Sequence, residues 1–296
     1  MEFKLGVQNE DRETGNLTIE FLEELSENEF NEFSAALAKL EELHSVRRLK
    51  EFVTLNEQDL TDYLNDSVKV LLNKSQNFAG GRSSEMREIH ININRLILNY
   101  LSSTRTFIDH TTTFLVRKLG EHSEDFAGFK GQLSKFYDQS FAYRFLTKLR
   151  NYAQHVDIPI EGVQFLISYN DDRTLAQGTL TVEFKRDHLL EKFQKWGTVK
   201  TDLLAMETVF PLMPLIYEMT FYIELIERSA ELIFRSELSE VANYLTEKIE
   251  TLKHKGGDVF AGYNFEDKED GSLLNFSQKI VPLQTLNYVI EILAEK

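Results

Sequence analysis

Between residues 85 and 119, apolar side chains return at helical spacing, from Ile89 and Ile93 through Tyr100 and Phe107 to Leu115, and form one continuous apolar face. Asn92, Arg95, Asn99, Thr106 and Arg117 fall among the polar positions. A helix of this length with one apolar side has to be covered along that side, and this requirement narrows the possible folds more than any other feature. The predicted cover is a second helix that follows the glycine-bearing segment 120–131 and runs to about His155. Its buried face would carry Leu133, Phe136, Phe141, Phe145, Leu149 and Tyr152. Two long antiparallel helices are therefore expected at the centre of the chain.

Other patterns surround this pair. Phe3, Leu5 and Val7 alternate with polar residues, as do Leu17, Ile19 and Phe21, and the polar stretch 9–16 between them predicts a hairpin. Residues 26–50 and 57–72 have helical spacing. Segment 73–84 contains Gly80 and Gly81 and reads as a connection; it lacks the Gly-Lys-Ser/Thr ending of a phosphate-binding loop. After Pro159 the period becomes two, at Val163, Phe165, Ile167 and Tyr169, and again at Leu180, Val182 and Phe184 beyond a turn at Asn170, Asp171 and Asp172, which predicts a second hairpin. Helices are expected at 186–194, at 201–253 and at 282–294, with loop between 255 and 279. The fold class expected is mainly α, a helical bundle with a β-hairpin insertion and an α+β N-terminal extension. The predicted division is an acidic N-terminal region 1–81, a helical domain 82–254 with its hairpin at 163–185, and a loop-rich tail 255–296.

The absence of cysteine excludes disulfides, thiolate metal sites and a cysteine nucleophile. No other His, Asp or Glu grouping has convincing ligand spacing, so neither a metal nor a cofactor is expected. Segment 203–226 is rich in apolar residues, but Glu207, Glu218, Glu224 and two prolines interrupt it, so a buried helix is expected rather than a membrane span. With no basic, apolar leader at the N-terminus, a cytoplasmic protein with no membrane partner is predicted. The net charge of −15 argues against a protein that coats nucleic acid. The charge is uneven, however: 82–158 has 11 basic against 8 acidic residues, and it is the net-positive block between two acidic ones.

That block contains Arg150, Asn151 and His155. The five-residue Arg-to-His spacing has little weight alone, because Arg105 with His110 and Arg117 with His122 share it. Context separates Arg150 from these: Asn151 follows it, an aromatic-rich helix precedes it, and the chain leaves through Val156 towards Pro159. His110 and His122 are expected to be structural or solvated.

The string from Phe145 to His155 (FLTKLRNYAQH) resembles the catalytic helix of HEPN-domain proteins, and Asn94 to Leu101 (NRLILNYL) resembles their first core helix. The resemblance covers residues 84–160 well and the first 80 residues not at all. It implies a HEPN-like helical bundle and a metal-independent endoribonuclease, in a toxin or phage-defence setting, with an antitoxin or other regulatory partner possible. The alternative is a catalytically inactive HEPN module that binds RNA, a nucleotide or a protein partner; a purely structural helical protein, with a coincidental motif, is the third reading. The residue types suit the chemistry. A histidine can take the proton of a ribose 2′-hydroxyl that attacks the adjacent phosphorus. An arginine holds a permanent forked charge against the phosphate oxygens, and Asn151, one turn before His155, can orient the imidazole or donate to phosphate. Five residues at about 100° each put Arg150 and His155 on different faces of a helix, whereas Arg144, Lys148, Asn151 and His155 share a stripe. Two copies about a two-fold axis would bring Arg and His to one phosphate, so a homodimer is expected. Arg144 and Lys148 then become candidate RNA contacts.

Overall fold

A computed structural model describes residues 2–11, 13–74, 84–170, 176–269 and 273–294. The Gly-Gly-Arg-Ser-Ser connection and the turn at Asp171 and Asp172 lie largely or wholly outside these residues. The chain is mainly helical and divides into two units, one formed by Met1–Ser45 with Glu231–Lys296 and the other by Val46–Ala230; both internal division points fall within helices.

The first unit is built on an antiparallel sheet of order β2-β1-β6-β7, with β1 Phe3–Glu10, β2 Leu17–Leu25, β6 Asp258–Asp267 and β7 Leu273–Ile280. The predicted N-terminal hairpin is present as β1 and β2. A bulge between Leu5 and Gly6 shifts its register, and there a Cβ on Gly6 would stand 2.6 Å from the Glu20 carbonyl oxygen, so only glycine fits without displacement. Leu5 and Val7 on β1 are buried with Val259 and Phe260 of β6, and the Phe3 ring stacks on Phe30 at 4.3 Å. Phe30, Phe33, Leu37 and Leu40 come from the start of α1, Glu27–Lys74, while α8 Arg235–Ile249 and α9 Leu283–Ala294 add Leu238, Leu245 and Leu286. The expected loop at 255–279 is therefore a strand pair. Its second strand, LLNFSQKI, is exposed or half-buried throughout with its apolar residues out of alternation, and the register between the two is irregular around Tyr263 and Glu266, where Asn264 sits at φ 53°. The helix expected at 282–294 is present as α9.

The second unit carries α2 Ser84–Leu119, α3 Glu124–Gln139, α4 Phe141–His155, β3 Gly162–Tyr169, β4 Ala176–Lys185, α5 Arg186–Lys192, α6 Val199–Ala205, β5 Val209–Pro211 and most of α7 Met213–Ile233. Three expectations change here. The two helices expected at 26–50 and 57–72 are one 48-residue helix, α1, because Val46, Val53 and Leu60 continue a buried stripe through the expected gap. The single helix expected to end at His155 is broken at Ser140, whose backbone is extended: its N–H donates to Phe136 O, ending α3, and its Oγ accepts from Tyr143 N, starting α4. The helix expected across 201–253 is interrupted by β5, which joins the predicted hairpin in the order β3-β4-β5, and again at Phe234. Pro211 ends β5, consistent with a residue that cannot donate to a sheet. The predicted boundaries at 81 and 254 do not coincide with the observed division, since pairing of β1 with β6 joins segments from opposite ends of the sequence.

Aromatic packing fixes α4. Phe145 is fully buried, stacks on Trp196 at 5.7 Å and meets Phe184 and Phe210 edge-on; Tyr152 stacks on Trp196 from the next turn but one. Trp196 donates its indole N–H to Leu189 O, so the ring that anchors the helix is itself held. Tyr100 on α2 reaches α7, with its hydroxyl 3.0 Å from Ile216 O and 2.9 Å from Thr220 Oγ1.

Candidate functional site

The buried face of α4, made by Ala142, Phe145, Leu146, Leu149 and Tyr152, decides which residues turn outward. Asn151 and His155 are exposed one turn apart, and Lys148 and Arg150 are half-buried. Among the described residues, the side chains of Asn151, His155 and Lys148 make no hydrogen bond or ion pair within the chain. Arg150 has none either, and its Nε is sealed from solvent with no acceptor. A half-buried guanidinium loses hydration that nothing replaces, so an anionic ligand would relieve it.

Arg144, on the same helix, is in the opposite situation. Its Nε bonds Asp202 at 3.0 Å, and its Nη1 donates to the carbonyls of Tyr137 at 2.8 Å and Asp138 at 2.6 Å. This guanidinium ties the end of α3 to α4 and to α6. As an RNA contact it would have to share a group already bonded through two of its three nitrogens, which Lys148 would not.

The end of α4 is held by residues that the sequence reading did not single out. Asn94, buried on α2, accepts from Ile160 N at 2.9 Å and donates to Ile160 O at 3.0 Å, so one side-chain amide takes both backbone polar groups of one residue. His90 Nε2 also donates to Ile160 O, at 2.8 Å. Beyond it, Glu161 faces His188 of α5 at 2.7 Å. The segment that leaves His155 is thus pinned five residues on. Asn94 lies in the stretch whose resemblance was noted, but no local pattern reveals a partner 66 residues away. Tyr152, between Asn151 and His155, is no acid or base near neutrality, because burial first, then Asp157 and Glu161, push its phenol up to about 12.

Arg150 is one wall of a narrow cavity between α2 and α4, together with Thr104, Arg105, Ile108, Leu146 and Thr147. Arg105, Ile108 and Thr147 also line a cleft of about 500 Å³ that opens beside it, with Tyr137, Asp138 and Tyr143. Arg105, whose spacing from His110 carries no weight in the sequence, thus meets the same cavity as Arg150. Among the described residues no group of three or more His, Asp or Glu is gathered that could hold a metal, and no helix is long and apolar enough to cross a membrane. Comparison of the chain with family models, with curated proteins and with solved structures finds no match in any of the three.

Proposed function

We propose that this chain is a metal-independent endoribonuclease of the HEPN type, acting as a homodimer in a toxin or phage-defence setting. One observation carries the reading. The side chains of Arg150, Asn151 and His155, the residues that the HEPN resemblance assigns to catalysis, have no partner within the chain among the described residues, whereas Arg144 on the same helix is engaged through its Nε and Nη1. Polar groups that a fold uses for stability are paired; three neighbours left unpaired at the end of a rigid helix are available to a ligand.

In this mechanism His155 takes the proton from a ribose 2′-hydroxyl, and the 2′-oxygen attacks the adjacent phosphorus. The P–O5′ bond breaks, and the departing O5′ takes a proton from water or from the imidazole of the second copy. Arg150 and Asn151 hold the non-bridging oxygens as charge gathers there. The products are a 2′,3′-cyclic phosphate and a 5′-hydroxyl end.

The test is incubation of purified chain with tRNA and mRNA in the presence of EDTA. Cleavage to cyclic-phosphate ends is expected from wild type, with a loss of at least about 100-fold in His155→Ala, the scale of one general base. No cleavage by wild type, or equal cleavage by His155→Ala, would sink the reading. A non-cleaving HEPN module that binds RNA is the second reading, favoured by the sealed Nε of Arg150, which leaves that guanidinium less free to follow a moving charge.

A further inference from the structure

We infer that the cleft between α2, α3 and α4 is an RNA subsite. It takes the nucleotide next to the phosphate held at Arg150, with Arg105 on the neighbouring phosphate and Tyr137 against the base. This rests on the reading that RNA is the ligand of α4, though not on its being cut.

The cleft adjoins the cavity of Arg150 through three shared residues, Arg105, Ile108 and Thr147. The cavity at Arg150 holds about 10 Å³, the space of a single water, so the adjoining cleft with Arg105 on its wall is the part that has room for a nucleotide. Arg105 Nε bonds Asp109 at 2.7 Å in an exposed pair one turn along α2, and its other nitrogens have no hydrogen-bond partner among the described residues. Arg150 has none at all. Arg105, with a single carboxylate on its Nε, leaves its remaining nitrogens open to an anion of the forked geometry that phosphate offers, and Arg150 lies across the adjoining cavity.

The α3 wall of the cleft has a different chemistry. Tyr137 is half-buried and edge-on to the buried Tyr143, with ring centres 6.0 Å apart, and Asp138 lies beside it. An aromatic wall suits a base, and a carboxylate can accept from the N–H groups on a base edge while repelling a second phosphate. The cleft is thus cationic on its α2 wall and aromatic and acidic on its α3 wall, which matches a nucleotide and does not match an acidic peptide. Its volume of about 500 Å³ lies in the range of ordinary ligand sites.

The probe is a fluorescein-labelled 2′-O-methyl RNA hexamer, which lacks the attacking hydroxyl, titrated by anisotropy with the full-length chain. Wild type is expected to bind it. Arg105→Ala should weaken binding roughly fivefold to tenfold and reduce the slope of log affinity against log salt by about one, while Tyr137→Ala should weaken it with the slope unchanged. Arg117→Ala, an exposed arginine farther along α2, serves as the control and should leave affinity unaltered. Binding equal to wild type in Arg105→Ala, an equal loss in Arg117→Ala, or tighter binding of a labelled Glu-rich peptide overturns the subsite. A chain that binds the hexamer through Arg105 but never cuts cleavable RNA keeps the subsite and loses the ribonuclease reading. Cleavage with unchanged KM and kcat in Arg105→Ala does the reverse.

Discussion

Arg150 is the residue at which stability and function part. A half-buried cation without an anion costs folding energy, and an apolar side chain of similar length would not. Arg150→Met is therefore expected to raise stability by about 0.5–1 kcal/mol in urea denaturation, and to abolish cleavage in the same preparation. A variant that is clearly less stable than wild type would mean that the guanidinium has a structural partner. Its availability could not be read from the sequence, where Arg144, Lys148 and Arg150 are three cations on one helix. What distinguishes them is the carboxylate of Asp202 and two carbonyls at the end of α3, and these depend on how the helices meet.

At the scale of elements, patterns with a short range were legible and junctions were not. Both hairpins and α9 follow from local periodicity, as does the buried face of α4. The break at Ser140 was hidden because the apolar positions on either side keep helical spacing across a single extended residue. The anchoring of the α4 exit by Asn94 was hidden because it joins distant parts of the chain. Asn94→Ala leaves both backbone polar groups of the buried residue Ile160 without that amide, and a loss of about 1–3 kcal/mol is expected. If the exit positions His155, RNA cleavage should fall further than stability alone explains, when measured at a temperature where the variant remains folded.

The start of α1 gives a second prediction at this scale. Ser26 and Glu29 form a reciprocal cap, in which Ser26 N and Oγ donate to the Glu29 carboxylate and Glu29 N donates to Ser26 Oγ, with Lys248 Nζ 3.2 Å away. The hydrogen bonds from Ser26, and then Lys248, lower the Glu29 carboxyl from 4.5 to about 2. A carboxyl lowered on folding contributes stability above pH 4.5, and that contribution disappears as pH falls through about 2. The gap in Tm between wild type and Glu29→Gln should be full at neutral pH and close progressively between those values; a gap independent of pH would exclude the cap as its source.

For the whole molecule, the decisive question is whether the site is shared between copies. Arg150 is half-buried in the cavity toward α2, while Asn151 and His155 are exposed on another side of α4, in line with the angular separation expected from their spacing. If the site is shared between copies, mixing Arg150→Ala with His155→Ala chains should rebuild one intact site in each mixed dimer, so activity of about a quarter of wild type should return on co-refolding, from two variants that are each inactive alone. No recovery, with dimers verified by sedimentation, would confine the site to one copy. The dimer is an expectation from helical geometry, and the sequence pattern contains no more of it than that.

The pairing of β1 with β6 also has a consequence for how the chain is made. Phe3 meets Tyr263, so the second strand to leave the ribosome's neighbourhood as a partner for β1 is encoded more than 250 residues later. Residues 46–230 are all synthesised before residue 258 is added, and at ordinary elongation rates the interval between them is a few seconds. Until then the β1–β2 hairpin has both edges unpaired, the β1 edge that β6 later covers as well as the β2 edge that stays at the rim of the sheet, and such edges recruit other chains. An arrested nascent chain ending before β6 would therefore already hold α4 with its three unpaired residues, while its first unit would still await its closing strands.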